Sequence, residues 1–213
     1  MDGRGTLAAA LPWLGLALVA LLIYLIPGAA SVLEWRREAI ADGQLWRLIS
    51  GHWTHYTPGH LGWDAAALVV LGTALAGRDR RRLVATLVLA QLVIAVGIWW
   101  WHPELTRYRG LSGIDAALFC YLATDLSRRT RNPTAAALIL LFWAKVGYEA
   151  WTGNCLFVTQ QGFVSLPSAH LLGGLTGMIA ALLPYSRPQF RSESGRQDMA
   201  IRLPSASRRA TSS

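Results

Sequence analysis

The stretch Tyr108-Arg109-Gly110-Leu111-Ser112-Gly113 opens one apolar segment of the chain, and Pro167-Ser168-Ala169-His170 opens another. Each stretch places a chemically active side chain at the start of a run long enough to cross a bilayer. Such side chains are costly in lipid unless they face a protein interior or a water-filled cavity. If Ser112 and His170 enter from the same side, they suggest a hydrolase that works inside a membrane.

The composition predicts an all-α membrane protein with six spanning helices. The chain has 213 residues, of which 53% are hydrophobic and 15% charged, and its mean hydropathy is +0.33. This is too apolar for an ordinary soluble domain. A spanning helix needs about 20 largely apolar residues. Six segments qualify: 7–26, 60–76, 83–101, 111–127, 134–151 and 166–183. We therefore expect a short cytoplasmic start at 1–6, a six-helix membrane domain at 7–184 and a basic tail at 185–213.

The arginines predict the orientation of these segments. The formal net charge is +8, which can indicate a nucleic-acid-binding protein. Here the basic residues are concentrated in 78–82, in 128–131 and in the tail. The positive-inside rule then places both termini in the cytoplasm, and no nucleic acid is expected as a partner. The first segment could be mistaken for a signal peptide, but it is long and has no clear cleavage site.

The remaining regions carry weaker signals. The loop 27–59 alternates apolar and charged residues at helical spacing, so we expect short helices at the outer interface, anchored by Trp35 and Trp46. The tail is rich in Ser, Arg and Pro, which is typical of disorder, and its arginines could rest on anionic lipids. Cys120 and Cys155 are predicted at different depths, so we expect structural roles and no disulfide between them.

Six spans with a cytoplasmic start place His60, Ser112 and His170 near the outer ends of inward-running helices. Ser112 is the candidate nucleophile, because Gly110 and Gly113 allow close backbone approach and a helix start offers N–H groups to an oxyanion. A neutral His170 can act as its base. Taken separately, the Gly-Leu-Ser-Gly motif is more often a packing motif and the histidine an interhelical polar residue. Their matched depth favours catalysis.

Two small residues follow the histidine in the last segment. Gly173 and Gly177 form a small-xxx-small pair, which predicts close packing of the sixth span against the fourth. A hydrogen bond between Ser112 and His170 needs this proximity.

These motifs resemble the signatures of the rhomboid family of intramembrane serine proteases. Gly110-Leu111-Ser112-Gly113 looks like the family's GxSG motif, and Ala169-His170-Leu171-Leu172-Gly173 looks like its AHxxG motif. The segment Gln44-Leu45-Trp46-Arg47 and the histidines that follow it resemble the rhomboid first loop and second span, so the similarity covers about residues 44–184. Tyr-Arg-Gly-Leu-Ser-Gly and His-Trp-Thr-His are similar to the rhombosortase branch, which is thought to cut C-terminal Gly-Gly sorting signals of exported bacterial proteins.

The resemblance implies roles for several residues. Ser112 would be the nucleophile and His170 the general base. His60 would help to bind the oxyanion, together with the backbone N–H of Ser112, and His55 would support it. Gly110 belongs to the same oxyanion region.

Two positions depart from the family pattern. Asp64 stands where rhomboids often carry an oxyanion-binding Asn, so it is either protonated or does another job, such as orienting His60. Ala116 replaces a Tyr that stacks under the catalytic histidine. Asp115 lies one turn from Ser112 and is a candidate accessory contact for His170, with a simple polar packing contact as the alternative.

Other polar residues receive plainer interpretations. Lys145 and Glu149 are four apart and predict an ion pair on the fifth span, with an influence on gating as a less favoured alternative. Histidines at 52, 55 and 60 are unevenly spaced, which is weak support for a metal site. We predict neither a metal nor a cofactor. Asp125 and Gln91 have no assigned role.

The sequence thus predicts an intramembrane serine endopeptidase in a bacterial inner membrane, with an active site that opens to the outer side. Its partners would be the lipid bilayer and membrane-anchored substrates with a Gly-rich segment, because glycine eases local unwinding of a helix. The main alternative is a non-catalytic rhomboid-like protein that binds client transmembrane helices. A small transporter or metal-binding membrane protein is a further alternative, which would spread its polar residues through the bilayer.

Overall fold

The computed structural model describes residues 3–131, 133–153 and 166–184. Two predictions fall outside these residues: the disordered basic tail and the structural role of Cys155. Cys120 is buried and carries a free thiol.

Long helices coincide with the six predicted segments. They are α1 (Gly3–Leu25), α5 (Pro58–Ala74), α6 (Arg80–Trp101), α7 (Ser112–Thr130), α8 (Pro133–Thr152) and α9 (Pro167–Leu182). Among the described helices, Gly5–Leu25 and Arg80–Trp101 are long and apolar enough to cross a membrane, and Pro167–Leu182 is a shorter apolar helix. The all-α prediction is therefore confirmed for the described chain, whereas the count of six spans stays a prediction.

The helix starts have local chemical causes. The Thr57 hydroxyl accepts the His60 N–H at 3.1 Å, and Pro58 occupies the first turn of α5. Asp79 caps α6 by accepting the N–H groups of Arg81 and Arg82. These caps satisfy donors that a helix start leaves without intrahelical acceptors.

The predicted short helices between α1 and α5 are present as α2 (Ala29–Leu33), α3 (Arg37–Ala41), α4 (Arg47–Ser50) and a 3₁₀ turn at Gly51–Trp53. A short antiparallel strand pair was not predicted. It joins β1 (Trp35–Arg36) to β2 (Arg107–Tyr108), with Trp35 opposite Tyr108.

The two tryptophans predicted as interface anchors behave differently. Trp46 is exposed, as an anchor should be, but Trp35 is buried and packs edge-on against Trp99 at 6.2 Å. The interfacial role predicted for Trp35 is therefore wrong. Its indole ring pins the loop before α5 onto α6.

Helix α7 is the centre of the bundle and packs against α5, α6, α8 and α9. Its contact with α9 depends on small residues, as predicted. A Cβ atom added to Gly173 would overlap the carbonyl of Gly113, and one added to Gly177 would overlap the carbonyl of Ala117. The two backbones thus touch at successive turns, which is the packing that small-xxx-small patterns permit.

Candidate active site

The backbone just before α7 is shaped by Gly110. Its φ of +126° is a conformation that L side chains rarely adopt, and an added Cβ would lie 2.7 Å from His60 Nε2. Tyr108 donates its hydroxyl to the Gly110 carbonyl at 3.3 Å, which helps to hold this turn. Only glycine fits between the helix start and the histidine ring. Gly110 thereby brings His60 of α5 next to the turn that precedes Ser112.

Asp64 connects two histidines to the same turn. Its Oδ2 atom lies 3.2 Å from His55 Nε2 and 3.2 Å from His60 Nε2, and it accepts the Leu111 N–H at 2.8 Å. The side chains of Asp64, His55 and His60 are all buried. The contacts of Asp64 are those expected of a residue that orients His60, and they tie α5 to the residue before Ser112.

The same three side chains could in principle hold a cation. Their ligand atoms lie within 4.8 Å of one another, and two imidazoles with a carboxylate are suitable ligands for zinc. However, the Asp64 oxygen already forms hydrogen bonds with His55 and the Leu111 N–H and lies 3.2 Å from His60 Nε2, so these contacts can account for the arrangement without a cation. The prediction that this site binds no metal stays a prediction.

The helix turns that carry Ser112 and His170 are in close backbone contact. Gly113 follows Ser112, and an added Cβ there would lie 3.1 Å from the carbonyl oxygen of Ala169, which precedes His170. The same two helix turns approach so closely at Gly173 that a Cβ atom added there would overlap the Gly113 carbonyl. In the described chain the serine hydroxyl and the imidazole form no direct hydrogen bond. Catalytic hydrogen bonds are often long before substrate binds, and the close backbones allow a side-chain contact.

Two backbone N–H groups at the start of α7 have no hydrogen-bond acceptor in the described part of the chain. The N–H groups of Ser112 and Gly113 lie in the first turn of α7, where the intrahelical pattern supplies no acceptor. No other acceptor contacts them within the described residues. These groups are suitable donors for a developing oxyanion.

His170 has a partner that the sequence did not reveal. Its Nδ1 atom lies 3.4 Å from Oε2 of Glu149 in α8, and the same oxygen accepts from Lys145 Nζ at 2.7 Å. The predicted Lys145–Glu149 ion pair is therefore present, and its carboxylate also contacts His170, the candidate general base. The signal in the sequence was that Glu149 and His170 are predicted at a similar depth in the membrane.

Asp115 does not reach His170. It is buried beside Ser112, and its Oδ1 atom has no hydrogen-bond partner within the described part of the chain. The carboxylate against the imidazole is that of Glu149 instead. The accessory role of Asp115 stays a prediction without a contact that supports it.

An ion pair between Arg109 and Glu34, which we call the arginine clamp, holds the segment that leads into Ser112. The sequence analysis did not predict it. Glu34 is fully buried, and it accepts from Arg109 Nε at 2.9 Å and Nη2 at 2.8 Å. Arg109 also donates to the His55 carbonyl at 3.3 Å and lies over the Tyr56 ring. The sequence pattern predicted only that the loop 27–59, which contains Glu34, forms short helices at the outer interface.

The residues that had no assigned role serve as structural links. Gln91 of α6 accepts from Trp53 Nε1 at 2.9 Å through its side chain and from His52 Nε2 at 3.0 Å through its carbonyl. Burial lowers the pKa of His52 from 6.5 to about 4. Asp125 pairs with Arg78 and Arg129.

A second serine–histidine contact lies nearby. His102 Nε2 and Ser168 Oγ are 2.8 Å apart, and His102 Nδ1 lies 3.3 Å from Glu104. Glu104 is largely exposed. Ser168 is therefore an alternative candidate nucleophile, and the variant Ser168→Ala distinguishes it from Ser112.

Buried histidines, a serine at a helix start and glycine-mediated helix contacts define a helical membrane protein with a candidate serine hydrolase site. The model of the Rhomboid domain matches residues 42–187, so the chain belongs to the rhomboid family. Proteins of this family are integral to the membrane and are generally intramembrane serine proteases that act on membrane proteins, although some members are inactive. Among curated proteins there is no match.

Proposed function

We propose that this rhomboid protein is an active intramembrane serine endopeptidase, with Ser112 as nucleophile and His170 as general base. The observation that carries the proposal is the contact of Gly113 with Ala169 and Gly173. It brings the residue after Ser112 against the residue before His170, so the two side chains begin on helix turns that touch each other. A non-catalytic protein that binds client helices has no chemical need to keep both Ser112 and His170.

The reaction would proceed by acyl transfer. Ser112 Oγ attacks the scissile carbonyl carbon and its proton passes to His170 Nε2. The N–H groups of Ser112 and Gly113 and the His60 ring would then stabilise the oxyanion. Each such donor is worth about 3 kcal/mol in the transition state. The imidazolium protonates the leaving amine, and water then hydrolyses the acyl-enzyme with His170 again as base.

Asp64 fits this scheme as an orienting residue. A bare carboxylate would repel an oxyanion, but Asp64 is tied to His55, His60 and the Leu111 N–H. It therefore directs the His60 ring and braces the turn before the nucleophile. His55 has the supporting role, because its ring packs edge-on against His60 at 5.0 Å.

The substrate would be a membrane-anchored protein with a Gly-rich segment, and C-terminal Gly-Gly sorting signals in the manner of rhombosortases are our specific candidate. A helix hides its carbonyls in internal hydrogen bonds, and glycine lowers the cost of exposing them by about 1 kcal/mol per residue. We place the protein in a bacterial inner membrane with six spans, and the positive-inside rule supports cytoplasmic termini and a site that opens outward.

Cleavage in proteoliposomes tests this proposal. The substrate is a single-span protein that ends in a Gly-Gly-containing helix, compared with a Leu-Leu version of the same helix. We expect wild type and Ser168→Ala to cleave the Gly-Gly substrate, and Ser112→Ala to be inactive. If wild type bound the helix as tightly as Ser112→Ala but cut neither version, the client-binding alternative would replace the protease.

A further inference from the structure

The feature that requires explanation is the contact between Glu149 and His170. Glu149 is 2% exposed, and a carboxylate so deeply buried is costly unless it is paired. Lys145, one helical turn away, already supplies that partner at 2.7 Å. The additional approach of the same oxygen to His170 Nδ1, at 3.4 Å, joins α8 to α9 and is not needed to neutralise the acid.

We propose that Glu149 is a positioning residue for His170, so that Ser112, His170 and Glu149 act as a triad; the inference rests on the proposed function. A neutral imidazole has one nitrogen that donates and one that accepts. A carboxylate at Nδ1 favours the tautomer with the proton on Nδ1 and leaves Nε2 as the acceptor. Within the described residues Nε2 forms no hydrogen bond, so it is available to take the Ser112 proton.

Charge supports the same assignment. When the serine proton reaches Nε2, a positive imidazolium forms beside Glu149, and the attraction strengthens in a buried, weakly polar site. Glu149 keeps its own charge and takes no proton. Lys145 holds the carboxylate in place by its short contact with Oε2. The acid therefore affects the rate of proton transfer through His170, and it need not touch the substrate.

The test is the rate at which a fluorophosphonate probe modifies Ser112 in the full-length, detergent-purified protein. Glu149→Gln alone leaves the half-buried Lys145 without its counter-charge, and Lys145→Met alone leaves the buried Glu149 carboxylate without its closest partner, so either single variant can destabilise the protein. The double variant Lys145→Met/Glu149→Gln removes both charges and keeps a neutral pair. Lys145→Met alone keeps the carboxylate at His170. Melting temperature is measured for each variant beside kinact and KI of labelling.

We expect Glu149→Gln and the double variant to lower kinact by between ~10-fold and ~10⁴-fold, the upper figure being the loss seen when a triad carboxylate becomes an amide. KI should be unchanged, since the probe's binding site is intact, and Lys145→Met should retain most of the wild-type kinact. The inference is overturned if the double variant folds and labels at the wild-type kinact. It is also overturned if both single variants lose labelling together with stability and the double variant recovers both, because the pair is then structural. A folded wild type that does not label at all overturns the proposed function, and the inference with it.

Discussion

Gly173→Ala changes one hydrogen to a methyl group at the tightest point between α7 and α9. The added carbon would overlap the Gly113 carbonyl, which is backbone and cannot move aside. Non-bonded atoms need ~3.5 Å, so α9 must shift away by roughly an ångström. Overpacking of this kind costs about 1–3 kcal/mol. Because His170 lies one turn before Gly173, a shift of this size should also cost roughly 100-fold in activity.

The assay measures kinact for fluorophosphonate labelling together with the melting temperature. Gly15→Ala on α1 is the matched control, since no heavy atom lies within 4 Å of its added Cβ. It should gain up to about 1 kcal/mol from helix propensity and leave labelling unchanged. If Gly173→Ala kept the wild-type kinact and melting temperature, α7 and α9 would not touch at Gly113, and the argument that places Ser112 beside His170 would fail.

Three further predictions follow from the buried groups around the site. Arg109→Met leaves the fully buried Glu34 carboxylate without its closest partner, so we expect the free energy of unfolding to fall by about 3–5 kcal/mol. Denaturation in detergent measures this loss. A loss below about 1 kcal/mol, the level of a surface pair, would contradict the arginine clamp. The folded-state pKa of His52 is about 4 against 6.5 when unfolded, so only the unfolded chain takes up this proton between those values. Stability should be complete above pH 6.5 and fall by up to about 3 kcal/mol as pH drops towards 4; the fall should be absent in His52→Gln, and its persistence there would refute the assignment. Gly110→Ala is strained by its positive φ and by the contact of 2.7 Å with His60, and it should lower kinact at least tenfold, whereas an unchanged value would show that this turn is not part of the site.

The helices could be predicted from the sequence because each depends on a long apolar run with local start signals. The close approach of α9 to α7 was also accessible, since Gly173 and Gly177 recur at helical spacing on one face. The convergence of His60 and Ser112 followed from the predicted direction of the spans, and Gly110 marks the point where they meet.

The contacts between helices were less accessible. Lys145 is a sufficient local partner for Glu149, so the ion pair masked the further contact with His170, which the matching depth of the two residues could have suggested. Glu34 and Trp35 follow an amphipathic pattern that is typical of an interface. The strand pairing with β2 accompanies the burial of Trp35, and the ion pair with Arg109 accompanies that of Glu34. That pair is two residues long, too short for a period-2 pattern to be detected.

The central claim is that Ser112 is a nucleophile activated by His170. The direct measurement is peptide mapping of the fluorophosphonate adduct on the purified protein, with Ser112→Ala, His170→Ala and the control Ser168→Ala. The account predicts an adduct on Ser112 in wild type and Ser168→Ala, none in Ser112→Ala, and a rate at least ~10³-fold lower in His170→Ala. An adduct on Ser168, or labelling that persists in Ser112→Ala, would contradict it.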